Sequence, residues 1–267
     1  ANGSGKTSIL EAAFIFSSGK SFKSSNLTSL IKHNRNNFLL KAYDGKRGYV
    51  AEIKKNKNKS ISVLLNNNKI VTSKLIKEFP CTPIHNNTFS FADASPDFRR
   101  KLLDRSIFIA EEEFSKTWFS YYKALKQRNH MLKNNRISSI YAWNNKLSQD
   151  GEMLSNLRNN FFNKTLQEFK ILLKRLEPNN IFDFFESISI NFSQGWSEEN
   201  TLLQSLEKNE QKDLKRKTTT EGPHKSDIKF LINEIDARQI LSRGEQKFFS
   251  ILWSCAQHEV LKKHYQI

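Results

Sequence analysis

The chain opens on Ala1-Asn2-Gly3-Ser4-Gly5-Lys6-Thr7-Ser8, residue types suited to holding a polyphosphate. Gly5, Lys6 and Thr7 match the end of the P-loop pattern G-x-x-x-x-G-K-[ST], whose first Gly would stand before Ala1. Glycines let backbone N–H groups converge on phosphate oxygens with no Cβ in the way. The helix that follows points its positive end at the anion. Lys6 has the reach for the β- and γ-phosphates, and the Thr7 hydroxyl is a candidate Mg²⁺ ligand. The competing explanation is a chance glycine loop at a helix start. It is the weaker one, because the run leads straight into an apolar helix. Asn2, Gly3, Ser4, Gly5, Lys6, Thr7 and Ser8 are therefore the candidate nucleotide-binding residues.

A second stretch, Leu241-Ser-Arg-Gly-Glu-Gln-Lys247, carries two messages. Locally, Ser242 and Glu245 form an S-x-x-E capping box, and Phe248, Phe249, Leu252, Ala256 and Val260 follow as an apolar stripe at helical spacing. That alone would explain the residues. The stretch also resembles the signature motif of ABC-type ATPases. In those proteins a Ser and a Gly at a helix N-terminus meet the γ-phosphate of ATP held by the P-loop of a second subunit. Ser242, Gly244, Glu245 and Gln246 are the candidates for that contact. Capping and phosphate binding coexist only if the cap rearranges or shares its donors.

Composition narrows the partner class. The 43 Lys and Arg outnumber the 27 Asp and Glu, giving a net charge of +16 that attracts polyanions, nucleic acid first among them. A Lys- and Asn-rich compositional bias, as an A/T-rich genome produces, is the plainer alternative. The 21 Phe residues supply bulky core material despite a modest apolar fraction. Cys81 and Cys255 stand far apart, show no metal-ligand spacing and read as idle or buried thiols of a reducing cytoplasm. No apolar run approaches the about 18 residues of a membrane span. The first residues lack both an initiator Met and a basic signal-peptide region, so the natural N-terminus is expected to lie upstream.

The elements that must position these motifs follow from periodicity. Residues 5–17 read as a helix with an apolar face of Ile9, Leu10, Ala13, Phe14 and Phe16, followed by a short helix at Leu27–Lys32. Strands are predicted at Phe38–Tyr43, Gly48–Lys54, Ser60–Leu65 and Lys69–Thr72, with Lys54–Lys59 as a solvated hairpin tip. Ser95-Pro96 opens a helical region reaching Lys133, and helix resumes over Ser138–Leu176 until Pro178. Alternation over Phe185–Phe192 predicts a strand, Glu198–Gln211 a helix and Lys212–Thr220 a loop. Asp227–Ile232 and Ala237–Ile240 are predicted to flank a hairpin turn, and Ser242 to open a helix ending near His264. Strand-rich, helical and again strand-rich segments imply an α/β domain with a helical insertion, its first and last parts folding together. The expected divisions are 1–90, 91–212 and 213–267.

Taken together, the motifs resemble one family, RecF, the bacterial recombination and replication-repair protein. The residues that carry the resemblance are Asn2–Glu11, Ser17-Ser-Gly-Lys-Ser-Phe22, Arg99-Arg-Lys-Leu-Leu-Asp104, Ala124-Leu-Lys-Gln-Arg-Asn129, Gly222-Pro-His-Lys-Ser-Asp227 and Leu241–Lys247. The resemblance implies an ABC-type P-loop ATPase head with a helical insertion lobe. It further implies ATP and Mg²⁺ as cofactors, with Thr7 toward the metal, and an ATP-dependent homodimer. In that dimer Lys6 and Thr7 of one subunit face Ser242 and Gly244 of the other. The dimer would clamp single-stranded, gapped or junction DNA in the cytoplasm, work with recombination mediator proteins during repair and the SOS response, and hydrolyse ATP slowly. This sequence departs from the pattern at the Q-loop, where Phe79-Pro-Cys-Thr-Pro-Ile84 has no glutamine and Thr82 stands nearest the expected place. The acidic Walker B residues would follow Ile267, so the chain alone is expected not to hydrolyse ATP.

Arg99, Arg100, Lys101, Lys123, Lys126 and Arg128 are candidate phosphate contacts, set against a solvated charged face. His224 is expected to structure its loop rather than act as a base, and Trp118, Tyr121 and Tyr122 to pack rather than stack on bases. Three rival functions are weighed. A small-molecule kinase leaves the signature stretch unexplained. A transporter ATPase subunit would carry a clearer Q-loop. A DNA-binding module with a decayed ATP site is favoured by the missing glutamine.

Overall fold

The computed structural model describes residues 5–24, 26–81, 94–135, 140–176 and 187–265. The chain forms two compact units, residues 1–83 and 84–267.

In the first unit, helix α1 (Lys6–Ser18) ends at Gly19, whose φ of 66° is the left-handed cap that a Cβ would oppose. A methyl there would also strike Thr72. After a 3-10 turn at Leu27–Leu30 comes an antiparallel meander of β1 (Asn37–Asp44), β2 (Tyr49–Asn56), β3 (Ser62–Leu65) and β4 (Asn68–Lys69), in that spatial order. Asn66 and Asn67, both at positive φ, make the two-residue turn between β3 and β4. Helix α2 (Thr72–Glu78) follows. The core gathers Ile15 and Phe16 of α1, Ala51 and Ile53 of β2, Val63 and Leu65 of β3, and Leu75 of α2.

Three expectations fail in this unit. Residues 70–72 do not extend a strand. Leu75 is fully buried and Phe79 packs against Phe16 at 6.0 Å between ring centroids, so helical spacing beats the local β-propensity of Ile70-Val71-Thr72. The buried face of α1 is Glu11, Ile15 and Phe16, whereas Ile9, Leu10 and Ala13 are exposed. Strand β2 runs to Asn56, which shortens the Lys54–Lys59 tip.

The second unit is built on long helices. Helix α3 (Pro96–Ala110) starts with Ser95 accepting from the Phe98 N–H and with Pro96 in the first helical position. Helix α4 (Glu112–Lys133) packs along α5 (Ile140–Leu176), whose Ile140, Leu147, Leu154 and Phe161 recur every seventh residue and are essentially buried. Strand β5 (Ile188–Ser193) pairs antiparallel with β6 (Asp227–Ile232), and β6 with β7 (Ile235–Asp236) across an Asn233-Glu234 turn in which both residues have positive φ. Helices α6 (Leu202–Lys208) and α7 (Glu210–Arg216) lie between the strands in sequence. Helix α8 (Ala237–Ile240) leads into the last helix, α9 (Arg243–Tyr265).

Here too the sequence misleads locally. The helix expected at 198–211 begins at Leu202, because Thr201 and Gln204 form a reciprocal capping box. Helix continues to Arg216, through residues predicted as loop, because Asp213 is drawn into a buried ion pair described below. Residues Ala237–Ile240 are a helical turn capped by the Asp236 carboxylate, not a strand. Cys255 is exposed rather than buried. Pro178, Phe185 and Glu186 lie outside the described residues.

Candidate functional site

The residues that match the end of the P-loop pattern stand at the start of α1. Asn2, Gly3 and Ser4 lie outside the described residues. Gly5 is the N-cap, with φ 81°, and among the described residues no side chain caps the helix. Its carbonyl accepts from the N–H groups of Ser8 (2.9 Å) and Ile9 (3.1 Å), so the helical ladder begins only there. Lys6, Thr7 and Ser8 are exposed, and among the described residues nothing stands near the place of a Gly5 Cβ. An uncapped, exposed helix start preceded by a left-handed glycine fits a phosphate. Behind it, the buried Glu11 carboxylate accepts from the Ser21 hydroxyl and lies 3.6 Å from Lys23 Nζ. The Ser17–Phe22 motif is thereby tied back onto α1.

The signature-like stretch stands at the start of α9. Ser242 N–H donates to Glu245 Oε2 at 2.7 Å, while the return bond from Glu245 N–H to Ser242 Oγ is long, 3.4 Å. The predicted capping box is present but lopsided, and Ser242 Oγ is only loosely held. Ser242, Arg243 and Gly244 are exposed. Gln246 plays a different part from a ligand: its Nε2 donates to Leu241 O at 2.9 Å and ties α9 to the end of α8. The helix is anchored from below. Trp253, fully buried, packs against Phe162 and Phe169 of α5 and edge-on against Phe230 of β6 at 5.4 Å. At its far end, Tyr265 O–H donates to Glu111 Oε1 (2.7 Å) and accepts from Lys164 Nζ (2.9 Å). The two helix starts belong to different compact units.

Half of the six basic residues considered for DNA, the three arginines, are claimed by the fold. Arg99 makes a two-point contact with Asp227 at 2.7 and 2.8 Å, and Arg100 donates to Ser226 O at 2.7 Å. Arg128 is wholly buried and donates to Asp213 (2.6 Å), Thr219 (2.8 Å) and Asn144 (2.7 Å). Neither a solvated face nor a phosphate contact describes these three. Their partners are remote in sequence and invisible to a local reading. Lys101, Lys123 and Lys126 remain exposed.

The same architecture absorbs Arg99–Asp104 and Gly222–Asp227. Arg158, missed in the sequence, is fully buried and pairs with Asp104 at 2.7 and 2.8 Å. It also donates to Pro223 O (2.6 Å) and Ser226 Oγ (3.0 Å). The one signal for it is its place in the stripe Gly151, Arg158, Thr165, buried at seven-residue spacing beside Leu147, Leu154 and Phe161. Gly222 has φ 133° and leaves room for Tyr121 Oη, which a Cβ would crowd.

His224 then sits between two elements. Its Nε2 lies 3.0 Å from Thr219 O, an acceptor only, so Nε2 carries the proton. Nδ1 therefore accepts from Tyr121 O–H at 2.7 Å. Burial, with smaller contributions from the Lys225 and Arg100 charges, lowers the His224 pKa to about 4 against the opposing Thr219 bond. Burial also raises the Tyr121 phenol well above its ordinary value. Both groups are neutral near pH 7 and hold the loop, as expected for His224. Tyr121 is buried, while Trp118 and Tyr122 are half-buried and packed against each other at 4.3 Å with their rings tilted, as a packing role requires.

No protein-family model matches the chain. The solved structure of the recombination mediator protein RecF-ATP in the RecFOR pathway is similar over 98% of this chain and 73% of that one, with a TM-score of 0.79 at 24% identity. The RecF-ATPγS structure is similar to the same degree, with a TM-score of 0.79 at 23% identity. The fold is thus the α/β ABC-type ATPase head with a helical lobe. DNA replication and repair protein RecF of Francisella tularensis subsp. novicida (strain U112) is 32% identical over 262 residues, 97% of this chain and 73% of that protein. Its counterpart in Shewanella denitrificans is 29% identical over 266 residues, 98% of this chain and 72% of that protein. The chain belongs to the RecF family. Among the described residues no helix is long and apolar enough to cross a membrane.

Proposed function

We propose that this chain is the larger part of an ATP-switched DNA clamp that serves recombinational repair in the cytoplasm. In this reading residues 1–90 and 213–267 supply the parts of an ATPase head and 91–212 its helical lobe. The observation that carries the reading is the pair of exposed helix starts, Gly5-Lys6-Thr7 without a side-chain cap and Ser242-Arg-Gly244 with a loose one. It occurs in a chain whose relatives include a structure with ATP. In this reading Gly5, Lys6, Thr7 and Ser8, with Asn2, Gly3 and Ser4, hold the ATP phosphates. The Thr7 hydroxyl contributes to Mg²⁺, which offsets phosphate charge. Ser242 and Gly244 of a second copy face the γ-phosphate, supported by Glu245 and Gln246.

The helix N-terminus does the same work at both places: N–H donors and a positive dipole end stabilise an anion. Joining two such ends through one ligand makes the ligand part of the interface. Dimerisation is then linked to ATP by mass action. A closed dimer encloses single-stranded, gapped or junction DNA and supports mediator proteins in loading recombinase. Slow hydrolysis in the intact protein reopens it.

Sedimentation of the full-length protein with and without ATP, beside Lys6→Ala, tests this. ATP-dependent dimers lost in the variant support the switch. Monomers that bind DNA equally well without nucleotide would favour a passive DNA-binding role, the reading that the missing Q-loop glutamine also points to.

A further inference from the structure

From Ser115 to Lys133 helix α4 contains no Asp or Glu, yet it holds Lys116, Lys123, Lys126, Arg128 and Lys133. Arg128 faces inward and is matched by Asp213. The charges that this stretch of α4 turns outward are therefore all cationic. Helical spacing places Ser115, Phe119, Tyr122, Lys126, His130 and Lys133 along one side. Two hollows follow one another on it. The first, between α3 and α4, has a floor of Phe108, Phe114, Trp118 and Phe119 and is also lined by Lys101, Arg105 and Asp104, the lysine paired with Asp97 and the Asp104 carboxylate neutralised by Arg158. The second is lined by Tyr122, Leu125, Lys126, Asn129, His130 and Lys133.

Phe119 is 68% exposed, an unusual position for a phenylalanine. Its ring meets Trp118 edge-on at 5.2 Å, and Trp118 packs tilted against Tyr122 at 4.3 Å. Trp118 Nε1–H donates to Asp104 at 3.2 Å, and Asp104 is clamped by Arg158. Trp118 is thereby anchored in the floor, with the exposed Phe119 ring set edge-on against it.

We infer that this face of α4 carries an unpaired nucleic-acid strand, a base against Phe119 and the backbone along Lys126, His130 and Lys133. The inference rests on the DNA-binding reading above and goes beyond it by assigning a strand type and a path. The helix face from Ser115 to Lys133 is about 27 Å long, at about 1.5 Å per residue. That suits the short end of single-strand sites, about 4 nucleotides and upward. A duplex offers cations its phosphates but keeps its base faces stacked, leaving the exposed Phe119 unexplained. An acidic peptide would suit the first hollow alone. The cations continuing two turns beyond it, with no intervening carboxylate, match an evenly charged backbone better.

The test is fluorescence anisotropy of the full-length protein with labelled oligothymidylate and with a hairpin duplex, across a salt series. Phe119→Ala should weaken oligothymidylate binding about 5- to 150-fold while duplex affinity stays within about twofold. The double variant Lys126→Gln/Lys133→Gln should flatten the slope of log K against log salt by about 1.4 for the single strand. Near-UV circular dichroism checks that both variants fold. Oligothymidylate affinity indifferent to Phe119, or an unchanged salt slope, overturns the inference. So does Phe119-dependent capture of an acidic, phenylalanine-containing peptide without any such effect on the oligonucleotide. Sedimentation of the same samples with ATP separates the two readings. Wild-type protein that does not dimerise sinks the switch, whereas variants that dimerise and bind the strand normally sink only the α4 path.

Discussion

Acidification should loosen the second unit through one residue, His224. Its pKa is about 4 in the fold against an ordinary 6.5, chiefly because burial disfavours the charged ring. Between those values the unfolded chain binds the extra proton and the folded one does not. Stability is therefore fully present above about pH 6.5 and drains away as pH falls toward about 4. The full difference corresponds to about 3 kcal/mol, of which about 2 kcal/mol is lost between about pH 7 and about pH 5. The geometry gives the same sign. A proton on Nδ1 would oppose the Tyr121 O–H that now points at it. Urea unfolding at the two pH values, for wild type and His224→Gln, isolates the effect. Gln keeps a donor for Thr219 O but does not titrate. The wild type should lose about 2 kcal/mol more than the variant over this interval. Equal losses in both proteins would refute the argument.

Two further outcomes concern the buried network. Arg158→Met strands the Asp104 carboxylate and should cost about 3–5 kcal/mol in urea unfolding, with part recovered by adding Asp104→Leu, because the unpaired charge is then gone. Gly195 has φ 97°, and a Cβ there would press into Gly222 O and Ser226 N. Gly195→Ala should therefore cost at least about 2 kcal/mol, while Gly45→Ala, in a turn with room for a methyl, should stay within about 0.5 kcal/mol.

What could be read from the sequence was local. Ser95-Pro96, the Ser242–Glu245 box and the Asn233-Glu234 turn are written in neighbouring residues, and the structure has them. The glycine and the lysine at the start of α1 were legible for the same reason. The burial of Arg99 and Arg128 was not, because Asp227 and Asp213 lie 128 and 85 residues further along. A charge reads as solvated until its partner is known. Burial of α1 failed differently: Ile9 and Leu10 are apolar but exposed, while Glu11 is buried through Ser21 and Lys23. Hydropathy ranks side chains, and it cannot register that a carboxylate has acquired donors. Trp118, Tyr121 and Tyr122 read as packing residues from their helical spacing, but nothing local marks Phe119 beside them as the ring that the fold turns outward.

The central claim is that one ATP joins Lys6 of one copy to Ser242 of another, and mixing two defective full-length proteins tests it most directly. Lys6→Ala and Ser242→Arg are each sedimented alone with ATP and then together. Each should stay monomeric by itself, while the mixture should form a heterodimer that retains one intact site. A mixture that remains monomeric although the wild type dimerises, or a Ser242→Arg protein that dimerises as the wild type does, would contradict the account.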